Sequence, residues 1–197
     1  QTQTLAHAKE AVENHADVIV AHGAEGGGHG IARGTFALVP AVVDAAPGTP
    51  VAASGGVADG RGLAAALMLG ADGVLVGTRF YASIEAAGFQ SAKERIVKAN
   101  GDSTIRGILF DIARRNVWPA PFGGRVLRNE FSERWRGREA ELMQHPEEAE
   151  RYAKARETGD YDTAAVIAGE VVDLIGDIPP AAEIVERITR EAETLIG

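Results

Sequence analysis

Three times in the first 80 residues a short apolar run stops at glycine: Ala16–Gly30 (ADVIVAHGAEGGGHG), Val51–Gly60 (VAASGGVADG) and Gly73–Phe80 (GVLVGTRF). β-Branched residues that end abruptly at glycine mark buried parallel strands whose C-terminal ends approach a ligand. The segments between them are helical in pattern. Thr4 to about His15 places Leu5, Ala8, Ala11 and Val12 on one face; Phe36–Ala46 has Pro40 near its first turn; Asp59 caps Gly60–Leu69. Residues 1–80 therefore spell helix–strand three times, the rhythm of an α/β sheet or barrel with its site at the strand C-termini.

From Glu85 onward the pattern changes. Ser91–Asn100, Pro146–Glu157, Tyr161–Ile175 and Pro180–Ile196 have helical spacing, and no second sheet is expected. The chain thus divides into a partial α/β unit, residues 1–90, and a mainly helical region or lid, residues 91–197. Residues 106–138 carry eight arginines against three acidic residues. A nucleotide-docking strip is one reading, and a solvated face or subunit contact is the commoner one. Three parallel strands make a poor independent core, so the sequence is expected to be part of a longer barrel.

Composition narrows the function. The net charge of −8 disfavours general nucleic-acid binding, and no apolar run is long enough for a membrane helix. Without cysteine there is no thiolate metal site, and no cluster has metal-ligand spacing, so no metal is expected. The N-terminal residues lack signal-peptide features, and the expected compartment is the cytoplasm.

Two turns have the chemistry of a phosphate cradle. Ser54–Gly55–Gly56, followed by Asp59 and a helix, lets backbone N–H groups approach an anion. Gly77 and Thr78 offer a second amide and a hydroxyl one strand–helix unit later. Either turn alone could be steric; the pair favours phosphate. His29 is the histidine inside a glycine-rich strand-end loop, either a base for a carbon acid or a residue that bonds a carbonyl. Glu25 could orient His29, or it could be a capping or surface carboxylate. His7, His15 and His145 fall on helix surfaces or ends.

GAEGGGHG, then PVAASGGVADGRGLAAALMLGADGVLVGTRF, RVLRNEFSERWRGREAEL and GEVVDLIGDIPPAAEIVERI, resemble the nitronate monooxygenase family, formerly 2-nitropropane dioxygenases. The resemblance implies the C-terminal portion of a TIM-type (β/α)8 barrel, about strands six to eight, followed by a helical region. It implies FMN as cofactor, with the phosphate at Ser54, Gly55, Gly56, Gly77 and Thr78, and His29 as catalytic residue. The implied reaction converts alkyl nitronates, or nitroalkanes after α-proton abstraction, with O2 to a carbonyl compound and nitrite. In the family Gln-Gly precedes this loop and Glu-Ala-Gly-Gly-His lies within it; here His22 stands at the glutamine and Gly26 at the alanine. The departures bear on loop flexibility and on any polar contact the glutamine makes. The family's N-terminal half has no counterpart in these residues, and pairing of two copies is one way the site could be completed. Two other readings stand beside this one: an FMN-dependent NAD(P)H:quinone or enoyl-thioester reductase on the same barrel, and a non-catalytic interaction module.

Overall fold

A computed structural model describes residues 1–197. In chain order the elements are α1 (Leu5–Glu13), β1 (Ile19–His22), β2 (Gly28–Gly30), α2 (Thr35–Ala45), β3 (Val51–Ser54), α3 (Gly60–Met68), β4 (Gly73–Leu75) and α4 (Thr78–Tyr81). There follow α5 (Gln90–Lys98), β5 (Thr104–Gly107), α6 (Leu109–Ala113), β6 (Gly123–Leu127), α7 (Glu130–Trp135), α8 (Glu139–Leu142), α9 (Pro146–Thr158) and α10 (Ala181–Ile196). The molecule is α/β.

Strands β1, β3 and β4 form one parallel sheet in the order β1-β3-β4, as the three apolar runs predict. His22 pairs with Ser54 and Ser54 with Leu75, so all three strands end at one level and their glycine turns emerge side by side. Behind the sheet, Leu38, Val39 and Val42 of α2 pack fully buried with Ile19, Ala21, Val51 and Ala53. Burying each such aliphatic side chain contributes about 1.5–3 kcal/mol. Pro40 lies in the second turn of α2, not the first, where it has no N–H to offer the Phe36 carbonyl. Thr4 and Asp59 cap α1 and α3 through their side-chain oxygens.

The expectation of no second sheet is corrected. Strands β2, β6 and β5 form a three-stranded antiparallel sheet, with His29 opposite Gly124 and Arg106 opposite Arg125. Its strands are Gly-His-Gly, Gly-Gly-Arg-Val-Leu and Thr-Ile-Arg-Gly, too short and too glycine-rich for their composition to show extended backbone. Because β2 lies among residues 1–90 and β5 and β6 among 91–197, the sheet is built jointly by both regions.

Residues Tyr161–Ile175 are also not the expected α-helix; only Glu170–Leu174 coil, as a 3-10 turn. The burial of Ala164, Val166 and Ala168 repeats every second residue, an extended period. The segment's backbone bonds go outward: Leu127 N–H donates to the Val166 carbonyl, and Glu170 N–H to that of Glu25, at 2.9 Å. Aromatic packing of Phe110, Phe131 and Tyr152, with the buried Trp135 in the same cluster, forms a second core. Helix α10 then returns to the first sheet's α3, so close that a Cβ on Gly60 would lie 2.2 Å from that of Glu191. No helix is long and apolar enough to cross a membrane.

Candidate active site

The turns after β1, β3 and β4 open on a cavity of about 1070 Å³ that His22, His29, Ser54, Gly55, Gly56, Gly77 and Thr78 all line. The residues singled out for catalysis and for the phosphate, His29, Ser54, Gly55, Gly56, Gly77 and Thr78, are thus brought to one space, which Glu25 does not line. The backbone N–H groups of Gly55, Gly56 and Gly77 donate to no protein acceptor. Gly55 has φ +97° and Gly56 φ +75°, so these amides turn in a way that favours glycine. A Cβ on Gly77 would meet nothing within 4 Å, which places that residue against open space. The Thr78 hydroxyl accepts from Gly169 N–H at 2.9 Å and keeps its own proton to donate.

The helix dipole of α3 is less available than the sequence suggests. Its first three amides are taken, Gly60 N–H by Glu191 and those of Arg61 and Gly62 by Asp59. The free donors are those of the turns.

His29 is fixed by β2, not carried on a free loop. Its Nε2 lies 2.9 Å from Oδ2 of Asp111, a side chain only 4 % exposed. A carboxylate only accepts, so Nε2 donates to it, and in the neutral ring the lone pair then falls on Nδ1, which bonds no protein group. Trp118 stacks on the ring at 4.0 Å and 8°. Asp111 was not among the residues singled out in the sequence. Its signal was there: it is the one charge in the apolar run Gly107–Ala113 (GILFDIA).

Two arginines from the second sheet shape the loop that leads to His29. Arg106 donates to the carbonyls of Ala24 (2.8 Å), Gly26 (3.0 Å), Gly28 (3.2 Å) and Gly123 (2.6 Å). Burial first, and Arg125 second, push its pKa down to about 10, which leaves it charged at neutral pH. Arg125 donates to Ala24 O at 3.0 Å and pairs with Glu170 at 2.8 Å. The arginine-rich stretch therefore forms no single strip: Arg134 and Arg138 flank Trp135, and Arg115, Arg128 and Arg136 are exposed. Glu25 has the capping role, accepting from Thr35 N–H and Oγ1 at 2.8 Å each at the start of α2.

His22 Nδ1 lies 3.0 Å from Ser54 Oγ. Burial, then the charge of Arg106, lowers its pKa below the ordinary 6.5; Glu25 opposes this, and the N-terminal amine adds slightly to it. The folded state therefore binds this proton less readily than the unfolded chain. Stability from this site is intact above about pH 6.5 and falls as pH drops toward the lowered folded value. Thermal melts at about pH 7.5 and pH 5.5 are expected to show a loss of Tm that H22Q reduces. An equal loss in both proteins would assign the acid sensitivity to other groups.

The nitronate monooxygenase family profile matches residues 1–191. Nitronate monooxygenase npaC of Metarhizium robertsii is 39% identical across all of this chain, which spans 58% of its length. Among solved structures, FabK from Thermotoga maritima superposes with TM-score 0.82 at 33% identity, over 99% of this chain and 60% of its own. A nitroalkane oxidase from Streptomyces ansochromogenes gives 0.81 at 25% identity, over 100% of this chain and 58% of its own. The chain thus spans a little over half the length of these relatives, and by the extent of these matches it belongs to the nitronate monooxygenase family.

Proposed function

We propose that this chain is the C-terminal portion of a (β/α)8 barrel, about strands six to eight, in an FMN-dependent enzyme. The enzyme oxidises alkyl nitronates, and nitroalkanes after deprotonation, with O2 to a carbonyl compound and nitrite. Residues 91–197 would act as the lid over the cavity. The observation that carries the reading is a histidine with one nitrogen tied to a buried carboxylate and the other free, on the wall of a cavity that also holds three unpaired turn amides.

These residues fit a phosphate-bearing cofactor. The amides of Gly55, Gly56 and Gly77 with the Thr78 hydroxyl would hold the phosphate; Ser54 lies beside them, bonded to His22. Bound FMN would supply the electron acceptor for the nitronate, with O2 as the final oxidant. The protein's own part is proton chemistry and positioning. His29 Nδ1 takes the α-proton of a neutral nitroalkane, and the Asp111 carboxylate supports the resulting imidazolium through Nε2–H. Trp118 covers one ring face and restricts the direction from which a carbon acid reaches Nδ1. A substrate that arrives as nitronate needs no base.

A second reading is a flavin reductase that uses NAD(P)H on a quinone or enoyl thioester. Anaerobic mixing of the flavin-loaded full-length protein separates the two. Bleaching of the flavin absorbance by a nitronate, with NAD(P)H inert, is the expected result; rapid bleaching by NAD(P)H alone would reverse the assignment. Activity insensitive to substitution of His29 and Thr78 would instead favour the interaction module.

A further inference from the structure

Of the four asparagines, only Asn100 is followed by glycine. With no side chain to shield it, the amide nitrogen of such a glycine can reach the asparagine side chain before it. That nitrogen attacks Cγ of the asparagine, the new C–N bond closes a succinimide, and the side-chain nitrogen leaves as ammonia. Water then opens the ring to aspartate, or to isoaspartate with a main chain one carbon longer.

The fold needs both halves of this pair. Asn100 caps the 3-10 turn Gly101–Ser103, its Oδ1 accepting from Ser103 N–H and Oγ–H at 2.9 Å each. A Cβ on residue 101 would lie 2.5 Å from the Glu170 carbonyl oxygen and 2.7 Å from Oδ2 of Asp173. Gly101 does not have a positive φ, so room, and not backbone freedom, requires glycine there.

The electrophile and the leaving group are ready. Both donors on Oδ1 polarise the carboxamide carbonyl, and Asn100 is exposed, with a side-chain nitrogen that bonds no protein group. The nucleophile is tied. Gly101 N–H donates to Oδ2 of Asp173 at 2.8 Å. A negative carboxylate opposes loss of that proton, and the bond resists rotation of the turn toward attack.

We propose that Asn100–Gly101 is a deamidation site held in check by Asp173. Its product bears on the second sheet, because Ser103 O accepts from Arg128 N–H at 2.8 Å and Thr104 begins β5, the strand of Arg106. An extra backbone carbon at residue 100 strains the start of that strand.

The test incubates the full-length protein in mildly alkaline buffer well below its Tm. Mass spectrometry follows the tryptic peptide Ala99–Arg106, with chromatography to separate its isoaspartyl form. Deamidation of the folded wild type is expected to be at least roughly tenfold slower than in denaturant. D173A should speed it roughly tenfold, the worth of one hydrogen bond. D173N keeps an acceptor oxygen and should restore most of the protection. Asn14, Asn116 and Asn129 should not change in either variant. A D173A rate at or below wild type would overturn the proposal, as would a D173N rate equal to that of D173A. A rise at the other three asparagines as well would make the effect general loosening, and overturn it too. So would a wild type that deamidates as fast folded as in denaturant, a comparison that decides alone if D173A does not fold.

Discussion

His29→Ala is expected to lower kcat/KM for a neutral nitroalkane by about 10²–10⁴, the contribution of a positioned general base. The same constant for a preformed nitronate should stay within about threefold of wild type, since a nitronate has already lost its α-proton. The difference between substrates is what identifies a base, because a binding role would burden both. The geometry favours this split: the Asp111 carboxylate holds Nε2 at 2.9 Å and leaves Nδ1 without a protein partner. Asp111→Asn should fall between, roughly tenfold down on the neutral substrate, because an amide can still accept from Nε2–H but no longer offsets the imidazolium charge. Steady-state assays with both substrate forms, on variants whose flavin content matches wild type, check this. Equal losses on the two forms would make His29 a residue that shapes the cavity.

The parallel sheet was legible because its signal is local: each run is apolar and β-branched, and each ends in glycine. Pairing of His22, Ser54 and Leu75 at one level follows from three such runs, and with it the convergence of the turns on one cavity. Helices α1, α3, α5, α9 and α10 were legible for the same reason, periodicity with a cap or a breaker at an end.

What stayed hidden depends on partners distant in the chain. Strand β2 is Gly-His-Gly, which carries no strand propensity and is extended because β6 pairs with it about 95 residues later. Asp111 is 82 residues from the histidine it holds. Arg106 and Arg125 look in sequence like any other arginines of a basic stretch. They are drawn inward because the glycine-rich loop turns several carbonyls toward one point, and a guanidinium is the side chain with enough donors to meet several at once. Glycines at 23, 26–28 and 30 thus do two things: they let the loop turn, and they leave oxygens for a buried cation.

That relation makes Arg106→Met the substitution with the largest expected effect on stability. The four carbonyls of Ala24, Gly26, Gly28 and Gly123 lose a charged donor; Ala24 retains another in Arg125, and Gly28 and Gly123 keep their places in the β2–β6 ladder, so the Gly26 carbonyl is the most exposed to the loss. Burial works against the native charge, as the pKa of about 10 shows, and the buried Nε has no partner. Removing the cation relieves that cost. It does not relieve the carbonyls, which stay buried against a thioether that cannot donate. The balance is therefore unfavourable, about 3–5 kcal/mol, as for breaking other buried charge networks. For a domain of this size that corresponds to a fall in Tm of roughly 6–20 °C. Arg106→Lys should recover part of it, since one ammonium has three donors but not the planar reach of the guanidinium. His29 lies on the strand that follows this loop, so turnover of a neutral nitroalkane should fall with stability in both variants, and further in the methionine one. A methionine variant with wild-type Tm and activity would show instead that Glu25 on Thr35, and Glu170 N–H on the Glu25 carbonyl, already hold the loop. Arg106 would then be a charge the fold tolerates, and the oxygens it covers would have to find water on its loss.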